Sequence, residues 1–419
     1  MSKKNAFYAQ SGGVTAVINA TACGLIETAR QHKDKIGKVF AGRNGIRGAL
    51  LEELIDTGKE SKKSIAALMH TPGGAFGSCR YKLKSLENNR REYERLIQVF
   101  EAHNIGYFFY NGGNDSQDTA LKISQIGEKM GYPLQCIGIP KTMDNDLPIT
   151  DTCPGFGSVA KYVATSIKEA SFDVRAMCSS TQVFILEVMG RHAGWVAAAG
   201  GLAAQKEGDG PQIILFPEIA FNKDKFLRKV KSSVKKYGFC SIVASEGTRH
   251  KNGEFIAASA GVVDAFGHKQ LGGTGAALSA MITRELGFKN HFAVADYLQR
   301  SARHLASKTD LDQSYAVGKK AIQLALQGKN AVMTTIVRKP GKRFAWTIGE
   351  APLDQIANVE KMVPRSFITK DGFHITDAAR DYLVPLITGE AFPPFKNGLP
   401  VYVTLKNVLV PKKLKRFKL

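Results

Sequence analysis

At 419 residues, 44% of them hydrophobic, the chain is long enough for two domains, each with its own core. No run of 18 apolar residues occurs, the opening MSKKNAFYAQ is too polar for a signal peptide, and the six cysteines are scattered without a C-x-x-C pair; membrane spanning is excluded, and free thiols in a cytoplasmic protein are expected rather than zinc or disulfides. The net charge of +21 comes without zinc-finger spacing, an Arg/Gly-rich tail or a ribonucleoprotein aromatic signature, so it is read as solvated helix faces such as Lys223 to Lys236 and an exposed tail from Pro411 to Lys418, not as a nucleic-acid surface.

In chain order, Phe7-Tyr8-Ala9 reads as a strand, Ser11-Gly12-Gly13 as a turn, and Ala16 to Ala29 as an apolar-periodic helix. Lys38 to Gly42 follows as a strand. Two buried strands come next, Ile105 to Tyr110 and Cys136 to Ile139, running into Asn111-Gly112-Gly113-Asn114-Asp115-Ser116 and Pro140-Lys141-Thr142-Met143-Asp144-Asn145-Asp146. Val183 to Leu186, Ile213 to Phe216 and Ser241 to Ala244 are further strands. A helix from Ser314 to Gln327 ends at Gly328, and Phe392-Pro393-Pro394-Phe395 reads as surface loop. Strands alternating with helices predict parallel sheets of βαβ units, with neither an internal repeat nor a low-complexity linker.

The glycine pair lets backbone N–H groups approach an anion, and loops at the carboxyl ends of parallel strands are where such folds place ligands. The second loop adds two carboxylates, a hydroxyl and an ammonium. Together they suit phosphoryl transfer.

These two loops resemble those of the phosphofructokinase family, and the likeness runs from about Asn5 to Gly328. Ser11-Gly12-Gly13 is similar to that family's first phosphate loop, Gly77-Ser78-Cys79-Arg80 to its phosphate-gripping arginine segment, and Glu187-Val188-Met189-Gly190-Arg191 to its sugar-binding segment. Glu246-Gly247 and Gln299-Arg300 match in order. The resemblance implies two facing three-layer α/β domains with mostly parallel sheets, associated as a homodimer or homotetramer. Residues 1–155 would bind the donor, with 293–330 returning to that domain. Residues 156–292 would bind the sugar phosphate, and 331–419 would partly complete the second domain and end in a basic tail.

The resemblance also implies roles. Asp144 would be the general base, Asp146 would hold Mg²⁺, and Thr142 would donate to the transferring phosphoryl group. Arg80 and Arg191 would neutralise charge on the phosphoryl oxygens, since a guanidinium fork matches two oxygens at once. Gly12, Gly13, Gly113 and Ser116 would cradle the donor. Met189, Gly190 and Glu246 would hold the fructose, and Tyr297 and Arg300 its 6-phosphate, with Tyr297 where many relatives use histidine.

Two positions bear on the donor. ATP-using relatives resemble Gly-Gly-Asp-Gly-Ser and Pro-Gly-Thr, and here Asp115 and Lys141 replace the small glycines. Both side chains would project where the α-phosphate and nucleoside of ATP lie, and Asp115 would repel that phosphate while Lys141 attracts pyrophosphate. The expected reaction is reversible transfer from pyrophosphate to the 1-hydroxyl of D-fructose 6-phosphate, a glycolytic step, with the ATP-dependent reaction as the alternative. A lipid or NAD kinase would explain only the first loop, and a catalytically dead basic protein would not need Asp144 and Asp146. Asn114 stands where relatives carry a metal-linked aspartate. It keeps an oxygen but drops a charge, which makes it the weaker metal candidate. Gln182 and His291 align with the positions of arginines that relatives bring from a neighbouring subunit, so either other cations (Arg303, Lys308) substitute or the shared site differs.

Overall fold

The apolar runs that end in glycines or charged loops become the strands of two sheets in the computed structural model, which describes residues 3–81, 83, 86–263 and 269–419. In chain order the strands are β1 (Lys4–Ser11), β2 (Ile36–Gly42), β3 (Leu54–Asp56), β4 (Ser78–Cys79), β5 (Ile105–Gly112), β6 (Gln135–Pro140), β7 (Val183–Val188) and β8 (Ile213–Leu215). Then come β9 (Cys240–Ser245), β10 (Ala258–Val263), β11 (Lys269–Leu271), β12 (Asn290–Val294), β13 (Val332–Arg338), β14 (Trp346–Pro352), β15 (Phe395–Lys396) and β16 (Leu399–Pro400). The first sheet runs β14-β13-β6-β5-β1-β2-β3, with β4 beside the end of β1. Its central strands are parallel, and β3 and β14 are antiparallel at the edges. The second sheet, β12-β7-β9-β8, is parallel throughout. β10 pairs with β11, and β15 with β16, as separate antiparallel ribbons.

Both sheets are covered on both faces, as parallel sheets require. Along β1, Ala6 and Tyr8 face the helices Ile18–Gln31 and Lys308–Leu326, while Phe7 and Ala9 face Leu86–Ala102 and Asn114–Lys129. Along β7, Val183 and Ile185 pack toward Lys223–Tyr237 and Thr274–Leu286, and Leu186 and Val188 toward Phe156–Ala176 and Trp195–Gly200. Each sheet is therefore the middle of three layers. Register sets the site: Gln10 lies level with Asn111 and Gly112 level with Pro140, so the loops after β1, β5 and β6 emerge side by side.

Three features differ from the sequence reading. The helix expected from Ser314 starts at Lys308, capped by the Ser307 hydroxyl, because its first turn (Lys308-Thr309-Asp310) lacks the apolar period that marks the rest. Part of 331–419 joins the first sheet as β13 and β14, while Val363, Ile368, Ile375, Ala379 and Leu383 pack into the second core. The basic tail is docked, not free. Lys413 and Leu414 donate their backbone N–H groups to the fully buried Glu52 carboxylate at 2.6 and 3.1 Å, and Phe417 lies under the Arg91 and Arg95 guanidinium groups. No helix among the described residues is long and apolar enough to cross a membrane.

Candidate active site

The carboxyl ends of β1, β5, β6, β7 and β9 open onto one cleft of about 610 Å³ between the two sheets. Of the residues expected to act, Gly12, Gly13, Arg80, Gly113, Asn114, Asp115, Ser116, Lys141, Thr142, Asp144, Asp146, Met189, Arg191, Glu246, Tyr297 and Arg300 all line it. Gly190 sits just behind, its N–H 3.4 Å from Glu246 Oε1 and its carbonyl accepting from Ser245 Oγ at 2.5 Å. A larger hollow of about 790 Å³, lined by Lys206, Lys236 and Arg380, lies elsewhere. Lys236 there is engaged by Glu207 and Arg380 by the Gly201 and Ala204 carbonyls.

On the first-sheet side, the helix Asn114–Lys129 starts at Gly113 with no side-chain cap, so its first-turn N–H groups meet the cleft. Gly12 turns with φ +75°. Gly13 leaves room for Arg300, whose Nη1 would lie 2.4 Å from a Cβ added there. Lys141 bridges the loops. Its buried Nζ donates to the Gly13 carbonyl at 2.7 Å, and its N–H donates to Gly112. Burial pulls this ammonium down to about 8, against the counter-pull of Asp144.

The loop Thr142 to Asp146 is held by hydrogen bonds within itself and to neighbouring segments. Asn145 takes the left-handed conformation at φ +54°, donates to Tyr382 Oη at 2.9 Å and accepts from Cys153 N at 2.9 Å. Thr142 Oγ1 accepts the Asp144 N–H at 3.1 Å. Burial, then Asp146 and Glu246, push the Asp144 carboxyl up to about 7. Burial, then Glu360, also raise Asp146, whose Oδ1 is buried and lacks a hydrogen-bond partner.

Four expected residues sit in unforeseen ways. Arg300 was placed on the sugar phosphate, yet its guanidinium stacks 3.8 Å from the Tyr297 ring centroid and reaches Gly13 of the donor loop. Asn114 was a metal candidate, but its Nδ2 donates to Val359 O at 2.5 Å and its Oδ1 accepts the Asn358 N–H, so the amide is spent on the chain. Arg303 was a candidate cation for the sugar phosphate; it is fully buried and donates to the Met69 and Ala391 carbonyls, and Lys308 is paired with Asp312. No group of three or more His, Cys, Asp or Glu suited to a metal occurs among the described residues. The orphaned Asp146 Oδ1 still fits Mg²⁺, which binds through one or two carboxylates, waters and substrate phosphates rather than in an all-protein cage.

Sequence reasoning missed Glu360 and His192. Both line the cleft and pair at 2.9 Å, bridging the segment after β14 and the loop after β7. Glu360 lies in irregular chain with no periodicity and no motif, so no local signal could have found it.

Comparison with known proteins bears on this cleft. A sequence profile described as phosphofructokinase matches residues 5–324. The chain is 63% identical to the pyrophosphate–fructose 6-phosphate 1-phosphotransferase of Halomonas elongata over 420 residues, all of both chains, and 63% identical to the Methylococcus capsulatus protein of the same name over 99% of each. A crystal structure of pyrophosphate-dependent phosphofructokinase from Marinobacter aquaeolei superposes with a TM-score of 0.91 at 62% identity, over 99% of this chain and 100% of that one. With the ordered loops converging on one cleft and the profile spanning both sheets, the chain belongs to the phosphofructokinase family.

Proposed function

We propose that the protein transfers a phosphoryl group reversibly from pyrophosphate to the 1-hydroxyl of D-fructose 6-phosphate, giving fructose 1,6-bisphosphate and phosphate. The observation that carries this is Lys141, a buried ammonium tied to the Gly13 carbonyl of the donor loop and lining the same cleft as Asp115. It offers charge to a compact diphosphate and takes up room that a nucleotide needs. The names of relatives 63% identical over the full chain favour the same donor.

In the step itself, Asp144 takes the proton of the sugar 1-hydroxyl as that oxygen attacks the terminal phosphorus, and the bridging P–O bond breaks to release phosphate. A carboxyl raised to about 7 is basic enough for this and is about half ionised at neutral pH. Thr142, Arg80 and Arg191 hold the transferring oxygens. Gly12, Gly13, Gly113, Ser116 and Lys141 bind the donor. Met189, Gly190 and Glu246 hold the sugar, with Tyr297 and Arg300 at its 6-phosphate. Asp146 would hold Mg²⁺, which when bound would supply neutralisation of pyrophosphate charge. The first sheet, with residues 1–155 and the returning helix Lys308–Leu326, serves the donor, and 156–292, with Tyr297 and Arg300, the sugar. All six cysteines are free, in keeping with a cytoplasmic protein. The edge strand β12 exposes Phe292 and Val294 beside His291, a surface suited to a second copy in a homodimer or homotetramer. Nucleic acid and membrane have no part in this reading.

The test is product formation from fructose 6-phosphate with pyrophosphate or ATP, with and without Mg²⁺. Turnover with pyrophosphate and Mg²⁺ alone is expected. Equal use of ATP overturns the donor assignment.

A further inference from the structure

The Asn114 amide does two things that a carboxylate cannot do together. It donates to the Val359 carbonyl at 2.5 Å and accepts the Asn358 N–H, clamping residues 358–359 onto the first turn of the helix Asn114–Lys129. Asn358 turns there at φ +62°. Beyond the clamp the chain is pinned again. The Lys361 N–H donates to the Asp146 carbonyl at 2.6 Å, the Lys361 ammonium to Thr150 O and Asp151 O at 2.9 and 3.0 Å, and Trp195 Nε1 to Lys361 O at 2.8 Å. Between the two anchors Glu360 faces the cleft, against His192 of the opposite side.

This short span therefore runs from the helix that receives the donor's phosphates to the second-sheet core, and it crosses the cleft beside the metal-holding loop. A donor with a third phosphate, extended past Asn114 and Asp115, meets the Glu360 carboxylate, which lines the cleft there. Resting on the pyrophosphate reading above, we propose that residues 358–361 form the wall that ends the donor site and limits it to two phosphates, with Glu360 the specificity-determining side chain and Asn114 the positioning residue that seats the wall. An aspartate at 114 would face the Val359 carbonyl with no proton to give. That accounts for an asparagine here.

Tripolyphosphate is a direct probe of length, because it adds one phosphate and no nucleoside. Calorimetric binding of pyrophosphate and of tripolyphosphate, each with Mg²⁺, to the full chain gives a ratio of dissociation constants independent of turnover. Wild type is expected to favour pyrophosphate by about 100-fold, and Glu360→Ala to narrow that ratio by about tenfold. Glu360→Gln, which keeps size and removes charge, separates repulsion from bulk. Asn114→Asp is expected to narrow the ratio similarly and to open 357–363 to limited proteolysis. If that variant does not fold, as judged by its thermal transition, Glu360→Ala carries the test. A ratio within about twofold of wild type in Glu360→Ala, or a wild type that binds both probes equally, overturns the proposal. A wild type that binds pyrophosphate but transfers nothing to the sugar overturns the assigned reaction instead, and leaves the ratio readable.

Discussion

Asp144 and Lys141 line the same cleft with their ionisations displaced toward neutrality from opposite directions. Asp144→Ala is expected to lower kcat by about 10²–10⁴-fold, the usual contribution of a positioned base. A loss below tenfold in a folded variant would remove Asp144 from that role. The pH profile follows from the same pair. Asp144 must be ionised to act, and its carboxyl is raised to about 7, so kcat/KM for pyrophosphate falls as pH drops through 7. Lys141 must be charged to bind, and burial lowers it to about 8, so kcat/KM falls again as pH rises through 8. A bell between these limbs is expected in initial rates. Lys141→Arg should carry the alkaline limb upward, since guanidinium stays charged. The sequence already pointed to both residues, because each lies in a motif after a strand. For Asn114 the sequence suggested only a weakened metal ligand; the use of its amide was not legible, because its partners come from positions 358 and 359.

At the level of elements, continuous apolar runs were legible as β1, β5, β6, β7 and β9, since buried parallel strands have no polar face to obscure them. β12, β13 and β14 were not, because Asn290-His291-Phe292 and Thr334-Thr335 interrupt the apolar signal and their pairing partners lie far away in the chain. The docked tail escaped detection for a similar reason: its lysines look solvated until a buried carboxylate is placed beneath them. Glu52 accepts from His103 at 2.8 Å as well as from the tail. Glu52→Ala strands these donors and is expected to cost on the order of 3 kcal/mol, read as a drop in unfolding midpoint. Burial alone would raise the Glu52 carboxyl, but the Lys413 N–H, His103 and the Leu414 N–H together hold it below its usual range. Its contribution to stability is therefore complete above about pH 4.5 and disappears as pH falls through the depressed folded-state value. Acid unfolding monitored by intrinsic fluorescence should begin at higher pH if the chain is cut after residue 410.

For the whole molecule, a net charge of +21 surrounds a cleft that receives two phosphorylated substrates. Such a field raises encounter rates with anions and is screened over a Debye length of about 10 Å at 0.1 M salt. We expect kcat/KM for pyrophosphate to fall about tenfold between 20 and 300 mM KCl at fixed free Mg²⁺, while kcat at saturation changes little. Equal sensitivity of both parameters would place the salt effect in the chemical step instead.

The first sheet has a further consequence, in time rather than in space. β6 ends at Pro140, and the strand that covers its outer edge, β13, begins at Val332. As the chain leaves the ribosome, nearly two hundred residues separate the two, including the whole of the second sheet. At synthesis rates of roughly 5–20 residues per second, the β6 edge waits on the order of ten to forty seconds for its neighbour. Throughout that interval a half-built sheet carries an unpaired, apolar strand, the kind of edge along which chains on the same message join each other. The transferring groups are thus translated early, and protection of the sheet that presents them comes among the last events of the molecule's birth.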